Sequence, residues 1–157
     1  MKKVFVHILY ICFFISLFVF VGCVNLDNGQ INESKAEVVI VTHIVDGDTF
    51  DIANGERIRL IGINAPEKGE YFFVEAKKHL GELIDGKKVI LKKDVSETDR
   101  YGRLLRHVYY NDMWINKKMI EDGFARAVTI PPDVAHTRIF SEAQKHAREK
   151  KLGIWAR

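Results

Sequence analysis

Thr49-Phe50-Asp51-Ile52-Ala53-Asn54-Gly55-Glu56-Arg57-Ile58-Arg59-Leu60-Ile61 is the stretch on which the fold turns. Thr49 to Ile52 alternates in the period of a half-buried strand, and Asn54-Gly55 is the signal of a two-residue type I′ hairpin. Residues 57–63 then predict a second strand, with Ile58 and Leu60 on one face and Arg57, Arg59 and Ile61 on the other. Upstream, Val38-Val39-Ile40-Val41 opens a β-branched run over residues 38–45, a third strand. Downstream, residues 71–84 set Phe72, Phe73, Ala76, Leu80, Leu83 and Ile84 at spacings of three and four, an amphipathic helix broken by Asp85-Gly86. Residues 88–92 and 103–110 read as strands on either side of a polar loop. Residues 116–122 form a short helix closed by Gly123. After Pro131-Pro132, residues 133–151 predict a final helix with Ile139, Phe140, Ala143 and Ala147 on one face. Strands clustered before and between a few helices indicate an α+β domain, and about five short strands suit a small closed barrel, of which the OB-fold is one candidate.

The chain of 157 residues is one domain's worth, but its first part is of another kind. Lys2 and Lys3 precede an apolar run over residues 4–21, interrupted only by His7, Tyr10 and Ser16, which reads as an export signal and is long enough for a retained anchor. Phe20-Val21-Gly22-Cys23 resembles the lipobox of bacterial lipoproteins, in which the cysteine is lipidated and becomes the mature N-terminus, although Phe20 stands where leucine is usual. A cell-membrane lipoprotein anchored at Cys23, a secreted protein and one held by an uncleaved N-terminal helix all place the remaining chain outside the cytoplasm. The expected organisation is a signal at 1–22, a polar tether at 23–36 and one folded domain at 37–157, expected as a monomer.

Charge and cysteine usage narrow the chemistry. Loss of residues 1–22 removes Lys2 and Lys3 and lowers the formal charge of +3 by two, so bulk charge does not drive nucleic-acid binding and any phosphate affinity must be local. The only cysteines are Cys12 and Cys23, which excludes an internal disulfide, a thiolate metal site and a thiol nucleophile in the domain. His43, His79, His107, His136 and His146 lack the spacing of a zinc site. Lys87-Lys88 and Lys92-Lys93 flank a strand, where lysines serve solvation and edge protection.

Three segments hold chemistry. In Asp46-Gly47-Asp48-Thr49 two carboxylates flank a glycine that permits a sharp turn. Asn64-Ala65-Pro66-Glu67 follows an apolar strand, and Pro66 stiffens the loop so that Glu67 projects from a defined place. Asp99-Arg100-Tyr101-Gly102-Arg103 is a polar hairpin turn. Singly, each is an ordinary turn. Arg59 and Arg103 on separate strands suit a bidentate grip on phosphate, since the planar guanidinium matches two oxygens and its charge is permanent.

Asp48-Thr49, Arg59, Pro66-Glu67 and Tyr101-Gly102-Arg103, in this order, resemble the thermonuclease family, the staphylococcal-nuclease-like (SNase) phosphodiesterases. Trp114-Ile115-Asn116, Asp122-Gly123, Ser141-Glu142-Ala143-Gln144 and Gly153-Ile154-Trp155 extend the likeness over residues 38–155. The resemblance implies a five-stranded OB-fold β-barrel with three helices and a calcium-dependent (Ca2+) hydrolysis of DNA or RNA. It implies Asp48, Asn64 and the carbonyl of Ala65 as metal ligands, Glu67 as general base, Arg59 and Arg103 as the catalytic arginines, and Arg100 and Tyr101 as substrate contacts. Calcium takes oxygen ligands in irregular geometry and is abundant outside cells, which agrees with export.

Two positions depart from the family. Asn64 replaces the usual acid, and metal affinity falls with ligand charge. Around Thr129-Ile130-Pro131 no tyrosine stands where relatives hold one against the substrate, which weakens base stacking. Two functions are therefore carried forward: a calcium-dependent nuclease, and a non-catalytic OB-fold nucleic-acid-binding module whose metal site failed at Asn64.

Overall fold

The computed structural model describes residues 36–156. The expected signal at 1–22, the lipidation site Cys23 and all of the tether but Ala36 lie outside the described residues.

Five strands close into a barrel. They are β1 (Glu37–Ile44), β2 (Thr49–Ile52), β3 (Arg57–Leu60), β5 (Lys88–Lys92) and β6 (Leu104–Tyr110), in the order β3-β2-β1-β5-β6, and a parallel β3–β6 pairing joins the two ends. The long strand β1 makes closure practicable. Its first half pairs with β5, its second half with β2, and the register slips between Val41 and His43. Such an irregularity bends a strand so that one strand can serve two sheets. With α1 (Phe73–Ile84), α2 (Ile115–Glu121) and α3 (Thr137–Glu149), the result is the five-stranded OB-type α+β barrel with three helices that the sequence predicts.

Alternation builds the core. Val41, Phe50, Ile52, Ile58, Leu60, Val89, Leu91 and Val108 are the inward residues of the five strands and are fully buried. Helix α1 adds Ala76, Leu80 and Ile84 to them, α2 adds Ile115, Met119 and Ile120, and α3 adds Phe140 and Ala143. Asn116 is the one amide buried among these residues. Its Oδ1 accepts from the Val108 N–H at 2.8 Å, while Nδ2 donates to the carbonyls of Ile61 (2.9 Å) and Arg106 (3.2 Å). It therefore ties α2 to both strands of the parallel seam and satisfies backbone groups that closure would otherwise strand.

The structure corrects several expectations. The β2–β3 hairpin exists, but Gly55 alone takes a positive φ (88°) and Asn54 does not, so the turn is not type I′. Asn54 instead accepts from the Glu56 N–H through Oδ1 (3.0 Å), and Gly55 donates to the Ile52 carbonyl (2.9 Å). The single strand expected over residues 57–63 ends at Leu60. Gly62, at φ 75°, turns the chain where a Cβ would meet the Phe140 ring at 2.4 Å. The two residues beyond form β4 (Ile63–Asn64), which pairs with β8 (Arg126–Ala127); β7 (Met113–Trp114) likewise extends β6. Helix α1 starts at Phe73, after Phe72 at φ 73°. Helix α3 starts at Thr137, because residues 130–134 form turns that bond the Asp133 N–H to the Ile130 carbonyl. Phe72, Phe73 and Ile139, placed by their spacing on the apolar faces of the predicted helices, are only half-buried.

Candidate active site

The turn between β1 and β2 is the foundation of the site. Gly47 is there for space rather than for dihedral freedom: a Cβ would come within 2.7 Å of Ala65 Cβ and 2.8 Å of Ala76 Cβ. The turn is thus pressed between the Asn64–Glu67 loop and α1. Asp46 Oδ1 accepts the Asp48 N–H at 2.9 Å, which shapes the turn and delivers Asp48 inward.

Asp48 is 4% exposed and engaged on both oxygens. Oδ1 lies 3.0 Å from Arg59 Nε and accepts the Thr49 hydroxyl at 3.0 Å, and Oδ2 accepts the Ala65 N–H at 2.7 Å. Burial pushes its carboxyl up to about 6; Arg59 opposes this, and the nearby Asp46 charge adds to it. This is a corner with more negative charge than its surroundings solvate well.

Arg59 reaches the corner from β3, where it pairs in register with Thr49. Its Nη1 donates to the Leu60 carbonyl, and its Nη2 donates to the Ile63 carbonyl (2.9 Å) and Asn64 Oδ1 (3.2 Å). The sequence suits this residue to a phosphate grip. The structure shows the ion pair to Asp48, with one Nη1 hydrogen uncommitted among the described residues.

Arg103 arrives from the other side. Its Nε donates to Asp99 Oδ2 at 2.7 Å, and its Nη1 stands 3.4 Å from the Thr49 hydroxyl oxygen. Asp99 also accepts the N–H groups of Tyr101 (2.9 Å) and Arg103 (3.1 Å) through Oδ1. Burial raises the Asp99 carboxyl, yet these bonds and the Arg103 charge hold it below its ordinary range. Sequence reasoning gave neither Asp99 nor Asp46 a role. The signal was present: an aspartate that opens a turn caps the N–H groups following it. Arg100 and Tyr101 stay on the rim, where Arg100 Nη2 donates to the Tyr101 hydroxyl (2.7 Å) and the Tyr101 ring is 67% exposed.

Glu67 stands apart from this network. Pro66 is buried and Glu67 is exposed one residue later. The Glu67 N–H donates to Glu70 Oε2 at 2.8 Å, and the Glu70 N–H donates back to the Glu67 carbonyl at 2.8 Å. That reciprocal pair sets the backbone of the loop while the Glu67 carboxylate remains in water.

The structure therefore brings together Asp48, Arg59, Asn64, Ala65 and Arg103, with Thr49 between the two arginines. Of these, Arg59 and Arg103 line a cleft of about 490 Å3, together with Ile61, Arg100, Tyr101 and Leu105 among others. Ile130, 64% exposed, also lines the cleft, with no tyrosine beside it in the Thr129-Ile130-Pro131 segment. Among the described residues no group of three or more His, Cys, Asp or Glu could hold a metal ion. The Asp48 carboxylate and the Asn64 amide are hard oxygen donors, of a kind that suits calcium and no thiophilic metal, and here they accept from Arg59, Thr49 and the Ala65 N–H.

The comparisons with known proteins agree with this architecture. Residues 57–157 match the family model described as staphylococcal nuclease homologue. The chain is similar to the thermonuclease of Staphylococcus intermedius, at 33% identity over the whole of both chains. It is also similar to the thermonuclease of Staphylococcus hyicus, at 28% identity over 80% of each chain. The micrococcal nuclease of Shigella flexneri is 33% identical over 74% of this chain and 72% of its own. The chain belongs to the family of staphylococcal nuclease homologues.

Proposed function

We propose that the protein is a calcium-dependent nuclease that hydrolyses the phosphodiester bonds of DNA or RNA. The observation that supports this most is the convergence of Arg59, on β3, and Arg103, in the loop just before β6, on the adjacent residues Asp48 and Thr49. Two permanent cations lining one cleft, one of them paired with a buried carboxylate, suit a phosphoryl group, where charge builds on the non-bridging oxygens.

In this reading Asp48, Asn64 and the Ala65 carbonyl would hold a calcium ion, which when bound would neutralise phosphate charge and order the attacking water. Glu67 accepts the proton of that water as its oxygen bonds to phosphorus and the opposite P–O bond breaks; solvent protonates the leaving oxygen. Arg59 and Arg103 donate to the phosphoryl oxygens, and Thr49 and Asp99 keep Arg103 in place. Arg100 and Tyr101 border the path of the strand. Relatives named as nucleases, and the oxygen-only donor set, support the reading over a non-catalytic binding module. Export, with Cys23 as a lipid anchor, belongs to the same proposal and is tested by the mass of the mature N-terminus.

The decisive experiment is digestion of single-stranded DNA and RNA by the full chain across a calcium titration. Hydrolysis that rises with calcium and stops with chelator is expected. Hydrolysis indifferent to chelator overturns the calcium role, and none at any calcium level overturns the nuclease.

A further inference from the structure

The site above uses Arg59 and leaves out Arg57, two residues away on the same face of β3. At ~3.3 Å per residue the two positions lie about 6.6 Å apart along the strand. Arg57 lines a different depression, a groove of about 900 Å3 bordered by Thr42, His43, Asp51, Gly55 and Tyr101. Tyr101 and Arg103 line this groove and the active-site cleft alike. Tyr101 is the partition. Its exposed ring has the Arg100 guanidinium 4.8 Å and the Arg103 guanidinium 5.4 Å from its centroid, a pair of cation–π contacts that steady it.

Arg57 is preset for an anion. Nε and Nη2 donate to the two Asp51 oxygens at 2.7 and 3.1 Å, which fixes the plane of the guanidinium. The Nη1 edge has no protein partner among the described residues, and the side chain is 49% exposed. His43 stands close enough to add positive potential at Asp51, whose carboxyl lies below its ordinary range, chiefly through the Arg57 hydrogen bonds. Around the groove Arg57, Arg100 and Arg103 are matched by Asp46, Asp51 and Asp99, so the attraction for an anion is local to the open Arg57 edge and not a bulk excess of charge.

We infer that this groove is a second nucleotide subsite. A single nucleic-acid strand straddles Tyr101 with its scissile phosphate at Arg59 and Arg103 and the neighbouring phosphate on the outer edge of Arg57. The spacing of the arginines is roughly twice the 3.4 Å per-strand rise of stacked duplex, the reach of one nucleotide in an unstacked strand. Splaying two nucleotides across an aromatic fin selects single-stranded or frayed substrate, because paired bases do not separate without cost.

The inference rests on the proposed nuclease function, and binding tests it apart from turnover. The full chain carrying Glu67→Gln is titrated, in calcium, with a fluorescent ten-residue oligothymidylate and separately with thymidine 5′-monophosphate, whose single phosphate reaches only the Arg59–Arg103 position. Arg57→Gln in that background should raise the Kd of the oligonucleotide roughly 3- to 10-fold and lower its salt slope by about 0.7, while leaving the monophosphate Kd unchanged. Asp51→Asn, which breaks the same ion pair but removes a negative charge, should tighten the oligonucleotide. Weakening in both variants marks a structural ion pair and overturns the subsite, as does equal loss for both ligands or no change in either. A background protein that binds neither ligand overturns the nuclease reading as well.

Discussion

The Asp48–Arg59 corner and the Glu67 loop share the residues Asn64 and Ala65, yet they are built by opposite rules. In the corner both carboxylate oxygens and nearly every guanidinium hydrogen have partners, and Asp48 is almost wholly buried. In the loop the polar bonds run between the Glu67 and Glu70 segments, and the Glu67 carboxylate stays in water. Charges that must hold a geometry are interlocked and buried, where the low dielectric makes each bond count. The carboxylate to which the proposed function gives the proton transfer is presented on a stiff but exposed turn.

The largest expected effect breaks the exposed side alone. Glu67→Gln should lower turnover by roughly 10²- to 10⁴-fold, with substrate Kd and unfolding midpoint nearly unchanged. Equal loss of binding and turnover in steady-state and anisotropy assays would remove the base role. Breaking the buried side should act on stability first. Arg59→Met leaves Asp48 without its cation and should cost about 3–5 kcal/mol in urea unfolding, beyond any loss of activity. A variant as stable as the parent would show that the corner is not interlocked.

A smaller effect lies outside both regions. His107 is buried beside Trp114, His136 and Phe140, with neither ring nitrogen hydrogen-bonded among the described residues. Burial first, and then the His136 charge, lower its value from 6.5 to about 4. With a folded value below the unfolded one, the unfolded chain binds the proton more readily. Stability from this residue is full above about pH 6.5 and is lost as pH falls toward about 4. His107→Phe should flatten that part of the pH–stability curve, measured by urea unfolding; an unchanged curve assigns acid sensitivity to the carboxylates. The smallest effect sharpens the boundary between the regions. Asn64→Asp adds a charge at the shared position and should lower the calcium needed for half-maximal hydrolysis by roughly 3- to 10-fold, the scale of about 1 kcal/mol. An unaltered titration would show that Asn64 is not a ligand.

Much of this was legible residue by residue. Alternation in Thr49–Ile52 and the three- and four-residue spacing of Ala76, Leu80 and Ile84 reflect burial on one face, and burial is written locally. Gly62 is instructive because its neighbours are all apolar. Nothing nearby in the sequence announces Phe140, whose ring forces the turn, so one strand was expected where there are two. The start of α3 was misplaced for a similar reason: residues 133–136 suit a helix by composition, but the Asp133 carboxylate accepts the N–H groups of Val95 and Ser96 in a distant loop.

By itself the sequence determined the element types, the apolar faces that become the core and the roster of residues suited to phosphate chemistry. Each of these follows from the order of side chains along a few turns or a few strand residues. The tertiary structure alone decided that β3 and β6 close the barrel in parallel and that Arg59 meets Asp48. It also decided that Asp99 holds Arg103 beside Thr49, and that Arg57 falls on the other side of Tyr101 from Arg59. Those outcomes depend on which distant segments share a register, and register is set by the packing of the whole barrel.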